Sequence, residues 1–198
     1  MKEFIEFLEK NYALEEIIEV VRKYNSPKDF WEKCESGELM LWIASKFGID
    51  EKLLFKTKAL CAKTVLHLME DERSKTTVQA TLDYADNKIS KKDLKIASDA
   101  SLNAANKTFT GGYAGYAGYA AARAAFLASD TDYLASATIY FVVDAASYSA
   151  AYKSPNTAYT ADADARKKNQ LATANICREI LTDAVMEKVK ELKNKTLS

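Results

Sequence analysis

The spacing of apolar residues predicts helices along almost the whole chain and gives few signs of strands. Leu14, Ile17 and Val21 recur at intervals of three and four residues, which places them on one face of a helix. Similar faces follow along the rest of the sequence, separated by short polar segments. We therefore expect an all-α protein of about eight to ten helices, arranged as an antiparallel bundle or a helical array.

Polar residues and glycines indicate where several helices begin and end. Ser26 and Asp50 each have the position of an N-cap, and Ser90 with Asp93 has the spacing of a capping box. Gly48 is expected to end the preceding helix in a left-handed conformation. Three further expectations are a helix break at Gly37, a long buried helix from Glu51 to about Met69, and a turn at residues 71–73.

The second half of the chain has an unusual composition, consisting largely of Ala, Gly, Ser and Tyr over residues 108–152. Three GYA triplets begin at Gly112, Gly115 and Gly118, and a three-residue period drifts slowly around a helix. Each glycine inside a helix costs about 1 kcal/mol relative to alanine. We expect a neighbouring helix pressed against these glycines, with a ligand groove as the alternative.

Length and charge limit the classes of protein that this chain can belong to. Residues 1–198 fit one domain, with tryptophan-containing helical hairpins over 1–90 and long Ala-rich helices over 91–198. The 28 acidic residues balance the 28 basic ones, so no overall field favours nucleic acid or an anionic membrane. No nucleic-acid or membrane partner is predicted, although the Gly and Ala stripes would also suit a homodimer.

The cellular location is predicted from what the sequence lacks. The N-terminus has no basic segment followed by an apolar core, so no signal peptide is expected. The segment Tyr133–Ala151 has the length of a membrane span, but an aspartate at membrane depth costs about 2.5–3.5 kcal/mol. We interpret it as a buried helix. Three widely spaced cysteines without a CxxC motif favour a reducing cytoplasm.

Few residues offer catalytic chemistry. His67 is the only histidine, which excludes two-histidine metal sites, and we expect it to be a satisfied residue of a buried helix. Nucleotide-binding glycine motifs and GxSxG are missing from the sequence, so no cofactor, metal or enzyme activity is predicted.

An enzyme that uses carboxylates alone remains an alternative. Asp162 and Asp164 point about 200° apart on a helix and would not share a metal, whereas Asp162 and Arg166 suit a surface ion pair.

Asp144 is the acidic residue in the most apolar surroundings. The sequence places Tyr140, Tyr148 and Tyr152 on the same helix face, and a buried carboxylate needs a partner. Arg123 is the only basic residue between Lys107 and Lys153, so we expect it to pair with Asp144. Two interpretations stay open: an interface centre of Asp and Tyr, or a buried ion pair that fixes helix register.

Tyrosines supply the other candidates for binding a partner, because aromatic anchors dominate many protein interfaces. The predicted partner-binding residues are Tyr113, Tyr116, Tyr119, Asp144, Tyr148, Tyr152 and Tyr159.

Residues 29–48 resemble a motif of known bacterial proteins. The motif has a tryptophan-x-x-cysteine start, a short turn, a leucine-tryptophan-leucine-alanine run and a closing glycine. Its positions fall here on Trp31, Cys34, Gly37, Leu41, Trp42, Ala44 and Gly48, with Ile43 in place of the second leucine. This pattern is similar to that of the immunity proteins of polymorphic toxin systems, in the family numbered five. Cys61-Ala62 and the Ala/Tyr/Asp-rich residues 97–165 match later parts of the same family, although this chain has more glycines and fewer acids there.

The resemblance implies an all-helical cytoplasmic protein that binds and neutralises a toxin made by the same cell. It implies no catalytic residues, and the matched positions have the character of structural residues, with Trp31 and Trp42 in the core. The alternative is a helical adaptor, from a phage or the host, that recognises another protein or a small molecule. A deep tyrosine-lined pocket would favour the alternative, whereas exposed tyrosines would favour the inhibitor.

Overall fold

The structure, a computed structural model, describes residues 1–108, 111–130 and 135–195. Within these ranges it contains ten α-helices and no β-strand, which confirms the predicted fold class. Two short 3-10 turns cover Leu66–Leu68 and Pro155–Thr157. The helices are α1 (Lys2–Lys10), α2 (Glu15–Arg22), α3 (Pro27–Lys33), α4 (Gly37–Lys46), α5 (Glu51–Lys63), α6 (Glu72–Ala85), α7 (Lys91–Thr108), α8 (Gly112–Ser129), α9 (Ala135–Lys153) and α10 (Ala158–Lys195).

The predicted helix ends are largely confirmed by their hydrogen bonds. The Ser26 hydroxyl accepts a 3.0 Å hydrogen bond from the backbone N–H three residues later, and the Asp50 carboxylate accepts two such bonds at the start of α5. Ser90 and Asp93 exchange the reciprocal bonds of a capping box. Gly48 adopts φ +64° after α4, the left-handed conformation that glycine tolerates best.

Two expected elements between residues 51 and 73 are wrong. The helix that starts at Glu51 ends at Lys63, and the 3-10 turn Leu66–Leu68 replaces its expected continuation. Asp71 does not lie within a turn of residues 71–73; it is the N-cap of α6 and accepts a hydrogen bond from the Arg73 backbone N–H. The connection between α5 and α6 therefore contains the segment with the single histidine.

Consecutive helices from α5 to α10 pack against one another, and contacts between distant elements complete the bundle. The 38-residue helix α10 packs against α1, α3, α4, α5 and α9, while α8 packs against α5, α6, α7 and α9. One apolar core extends from Leu8 in α1 through Val143 in α9 to Leu181 in α10. The N-terminal hairpins and the Ala-rich helices share this core, in which α8 buries Ala120, Ala121, Ala124, Ala125 and Ala128.

The residues of the Trp31–Gly48 motif join α3 and α4 to α10. The Trp31 indole donates a 2.9 Å hydrogen bond to the Thr182 hydroxyl, and the Arg178 guanidinium donates a 2.7 Å bond to the Cys34 carbonyl. Cys34 is buried at the C-cap of α3. Leu41 is also fully buried, whereas Trp42 is only partly buried against the core.

Gly37 does not serve as the helix break that the sequence suggested. It lies at the start of α4, after the N-cap, and is buried against α10. A Cβ at this position would lie 2.3 Å from Thr173 Oγ1 and 2.7 Å from the Ala174 backbone nitrogen. Glycine is therefore required here because two backbones approach closely.

At Gly112 and Gly118, no neighbouring helix is pressed against the GYA glycines as expected. Gly112 opens α8 with φ +66°, and a Cβ there would have no atom within 4 Å. A Cβ on Gly118 would lie 3.6 Å from the Glu70 carboxylate and 4.0 Å from the Leu68 carbonyl oxygen. The neighbour of Gly118 is thus the α5–α6 connection and not a helix.

Lys58 ties α5 to the C-terminal end of α8. Its ammonium donates hydrogen bonds of 3.2 Å to the Leu127 carbonyl and 2.7 Å to the Asp130 carbonyl, and it lies 4.5 Å from the centre of the Phe55 ring. Burial lowers the pKa of Lys58 to about 8. These contacts satisfy carbonyl groups that the end of α8 leaves without helical partners.

In the part of the chain that the structure describes, no helix combines the length and the apolar character needed to cross a membrane. The helix α9, which covers most of the segment Tyr133–Ala151, instead packs against α4, α5, α8 and α10.

Candidate protein-binding surface

Aromatic side chains form two groups of ring contacts, and each group joins α8 to α9. Tyr148 lies 5.4 Å from Tyr116 and 6.4 Å from Tyr113, measured between ring centres. Phe141 contacts Tyr119 at 6.4 Å and Tyr140 at 5.3 Å, both edge to face. We call this set the tyrosine surface; it comprises Tyr113, Tyr116, Tyr119, Tyr140, Phe141 and Tyr148.

The tyrosine surface combines solvent exposure with restrained side chains. Tyr113, Tyr140 and Tyr116 are 51%, 49% and 41% exposed, whereas Tyr119 and Tyr148 are half-buried between their neighbours. Rings that already contact one another lose less conformational freedom when a partner covers them. This arrangement is therefore suited to presenting several aromatic anchors to another protein.

Asp144 lies beside this surface but pairs with a residue that the sequence analysis did not select. Arg166 Nη1 donates a 2.8 Å hydrogen bond to Asp144 Oδ1, and Arg166 Nε lies 3.3 Å from Asp162 Oδ2. The expected Arg123–Asp144 pair is thus wrong, because Arg166 reaches Asp144 from the adjacent helix α10. The Asp162–Arg166 pair is confirmed as one arm of a three-residue network that joins α9 to α10.

The Asp144 carboxylate influences the two tyrosines one turn away on α9. Its negative charge is the main cause that raises the pKa of Tyr140. Partial burial raises the pKa of Tyr148, and the charge of Asp144 adds to that effect. Both phenols therefore stay protonated at neutral pH and can donate a hydrogen bond to a partner.

Arg123 occupies the part of α8 next to Phe141. Its guanidinium carbon lies 5.2 Å from the centre of the Phe126 ring and 5.5 Å from that of Phe141. The buried Nε has no hydrogen-bond acceptor, and no described carboxylate pairs with this guanidinium. Arg123 is therefore a cation held by aromatic rings at the edge of the tyrosine surface.

Two of the predicted tyrosines lie apart from the others. Tyr152 is exposed and lines a groove with His67 and Gly118. Tyr159, near the start of α10, is 88% exposed and makes no ring contact with another described residue. Conversely, the candidate set omitted Tyr140 and Phe141, although the spacing of positions 140, 141, 144 and 148 follows one helix face.

The single histidine is exposed, and the three cysteines are buried. His67 lies in the 3-10 turn and is exposed, so its expected place on a buried helix is wrong. Among the described residues, no three His, Cys, Asp or Glu side chains are grouped so that they could hold a metal ion. Cys34, Cys61 and Cys177 are free and buried, and burial raises the pKa of both Cys34 and Cys61, which leaves these thiols unreactive.

Comparisons with the profiles of known protein families, with curated proteins and with solved structures find no match to this chain. The likeness of residues 29–48 to the immunity proteins therefore rests on the motif residues alone. In the structure these residues pack α3 and α4 against α10.

Proposed function

We propose that this protein binds and neutralises a toxin made by the same bacterial cell, and that the tyrosine surface is where the toxin binds. The protein would act by steric occlusion, covering the active site or substrate path of the toxin with a rigid pair of helices. It would carry out no chemical step of its own. Its three free cysteines suit the cytoplasm as the compartment in which it works.

The observation that carries this proposal is the set of exposed tyrosines that contact one another on α8 and α9. Tyrosine, tryptophan and arginine supply most of the residues whose removal strongly weakens protein interfaces. Here the tyrosines lie on the packed helices α8 and α9, and Arg123 contacts Phe141 across them. Exposed rings, in place of a deep tyrosine-lined pocket, favour a protein partner over a small molecule for this surface.

The charges around the surface also suggest what kind of toxin would fit. Asp144 and Asp162 are both engaged by Arg166, whereas the Arg123 guanidinium has no carboxylate partner in the described ranges. The surface therefore carries charges of both signs, as the chain does overall. A target without a strongly basic active-site face fits better than a basic nuclease.

Affinity capture followed by a growth assay tests the proposal. The tagged protein would be purified from the cell that makes it, and a co-purifying protein present in equal amount would be identified by mass spectrometry. We expect that partner to arrest growth when it is expressed alone and to be harmless when it is co-expressed with this protein. A partner that causes no growth defect would contradict the toxin part of the proposal and favour a helical adaptor.

A further inference from the structure

A groove lies between the α5–α6 connection and the helices α9 and α10. Its volume is about 360 Å³, and it is lined by eleven residues that include His67, Ser149, Lys153, Lys168 and Asn169. A second compartment of about 190 Å³ adjoins it and shares His67, Leu68 and Ser149. Together the two compartments have the size of a typical small-molecule site.

The charge of the larger compartment is entirely positive. Lys153 and Lys168 line it together with His67, and no Asp or Glu is among its lining residues. In the described part of the chain, the ion pairs of α10 involve Arg166 and Lys188 and leave Lys168 without a carboxylate. Two ammonium groups beside an imidazole, with the Ser149 hydroxyl as a further donor, suit a multiply charged anion such as a phosphate.

The smaller compartment is shaped by the GYA segment. Ala114, Ala117 and Gly118 form one wall, and Tyr152 lies among the other lining residues. Gly118 faces the Glu70 carboxylate, from which an added Cβ would lie 3.6 Å, at ordinary van der Waals contact. Small side chains and an exposed phenol ring suit a flat organic group, while Glu70 would repel a second anion.

We propose that this groove binds a small phosphorylated molecule, with the phosphate between Lys153, Lys168 and His67 and a planar group beside Tyr152 and Gly118. The site goes beyond the binding of a toxin. At about 100° per residue, Lys153 lies on the side of α9 opposite to Asp144 and about 140° around the helix from Tyr148, so a bound phosphate and a protein partner need not compete.

The single histidine allows a direct test by NMR, because the His67 ring gives the only histidine signals of the protein. The isotopically labelled full-length protein would be titrated with unlabelled AMP, inorganic phosphate or adenosine at constant pH and ionic strength. We expect AMP to shift the His67 ring signal in a saturable way with a Kd below about 1 mM, phosphate to bind about tenfold more weakly, and adenosine to cause no shift.

Substitutions of exposed residues distinguish binding of AMP in this groove from nonspecific attraction of its phosphate to surface lysines. Lys168→Ala is expected to weaken AMP binding about tenfold, and Lys167→Ala, next to it on α10 but outside the groove, is expected to leave it unchanged. Tyr152→Ala is expected to reduce the affinity for AMP to that for phosphate. The proposal is overturned if neither AMP nor phosphate gives a saturable shift, if the two lysine variants behave alike, or if AMP and phosphate bind equally well to the unaltered protein.

Discussion

The Arg166 guanidinium donates a 2.8 Å hydrogen bond to the Asp144 carboxylate and thereby joins α10 to α9. Asp144 is 7% exposed, so its charge depends on this partner for compensation. The pair supports the helix that carries Tyr140, Phe141 and Tyr148. The main role of Asp144 is therefore to hold the tyrosine surface in place, and its charge is not free to bind a partner.

Asp144→Asn is expected to lower the free energy of unfolding by about 2 kcal/mol, because it breaks a largely buried ion pair that is partly open to solvent on the Arg166 side. Urea denaturation followed by circular dichroism measures the change. Asp164→Asn is the matched control, since Asp164 is exposed on the same helix as Arg166. Equal stability of the two variants would show that the pair does not hold α9 against α10.

Two glycine substitutions are expected to have opposite effects. Gly37→Ala should destabilise the protein by about 1–3 kcal/mol, because its Cβ would meet Thr173 and the α10 backbone at 2.3–2.7 Å. Gly118→Ala should stabilise it by about 0.5–1 kcal/mol, because α8 gains a better helix former in ordinary van der Waals contact. Thermal and urea unfolding of both variants would check this, and a stable Gly37→Ala protein would contradict the close approach of α4 and α10.

Lys58 is expected to make the stability of the folded protein depend on pH in the alkaline range. Its folded-state pKa of about 8 lies below the ordinary 10.5, so between these values the unfolded chain binds more protons and rising pH favours the folded state. Relative to Lys58→Met, the wild-type free energy of unfolding should rise by about 2 kcal/mol from about pH 7 to about pH 10. Urea titrations of both proteins across this range measure the difference. A difference that stays constant with pH would mean that Lys58 titrates as an exposed lysine.

The sequence was sufficient to predict features that depend only on residues close together in the chain. The caps at Ser26 and Asp50 and the left-handed Gly48 follow from local hydrogen bonding and backbone sterics, so they could be predicted. The partner of Asp144 could not be predicted in this way. Arg166 lies 22 positions away in the sequence and is brought close by the packing of α9 on α10. The role of Gly37 was missed for the same reason, since a local signal cannot distinguish a helix break from a close contact with α10.

The candidate binding residues were predicted in part. Tyr113, Tyr116, Tyr119 and Tyr148 come together in the structure, because α8 and α9 carry them on facing edges. Helical spacing alone does not fix how two helices are rotated against each other, so the sequence did not show that Tyr152 lines a groove with His67 and Gly118. The cation–π contacts of Arg123 likewise depend on the position of Phe141 in the neighbouring helix.

Arg123 is expected to anchor the protein partner, because its guanidinium is fixed by two rings and pairs with no carboxylate of the described residues. Arg123→Met, which keeps much of the apolar contact, should weaken partner binding by about 2 kcal/mol. Calorimetry or surface plasmon resonance with the captured partner would measure the loss, and Lys107→Met, at an exposed position of α7, is a control for the change in net charge. Unchanged affinity of the Arg123 variant would remove this residue from the interface.

The central claim is that the tyrosine surface binds the partner, and quantitative capture by surface variants tests it most directly. A Tyr113→Ala/Tyr116→Ala/Tyr148→Ala protein would be compared with the wild type and with Tyr12→Asn, which removes a 91% exposed ring at a positive-φ position that asparagine tolerates. The account predicts that the wild type and Tyr12→Asn retain the same stoichiometric partner and that the folded triple variant loses it. Retention of that partner by the triple variant at wild-type level would contradict the claim.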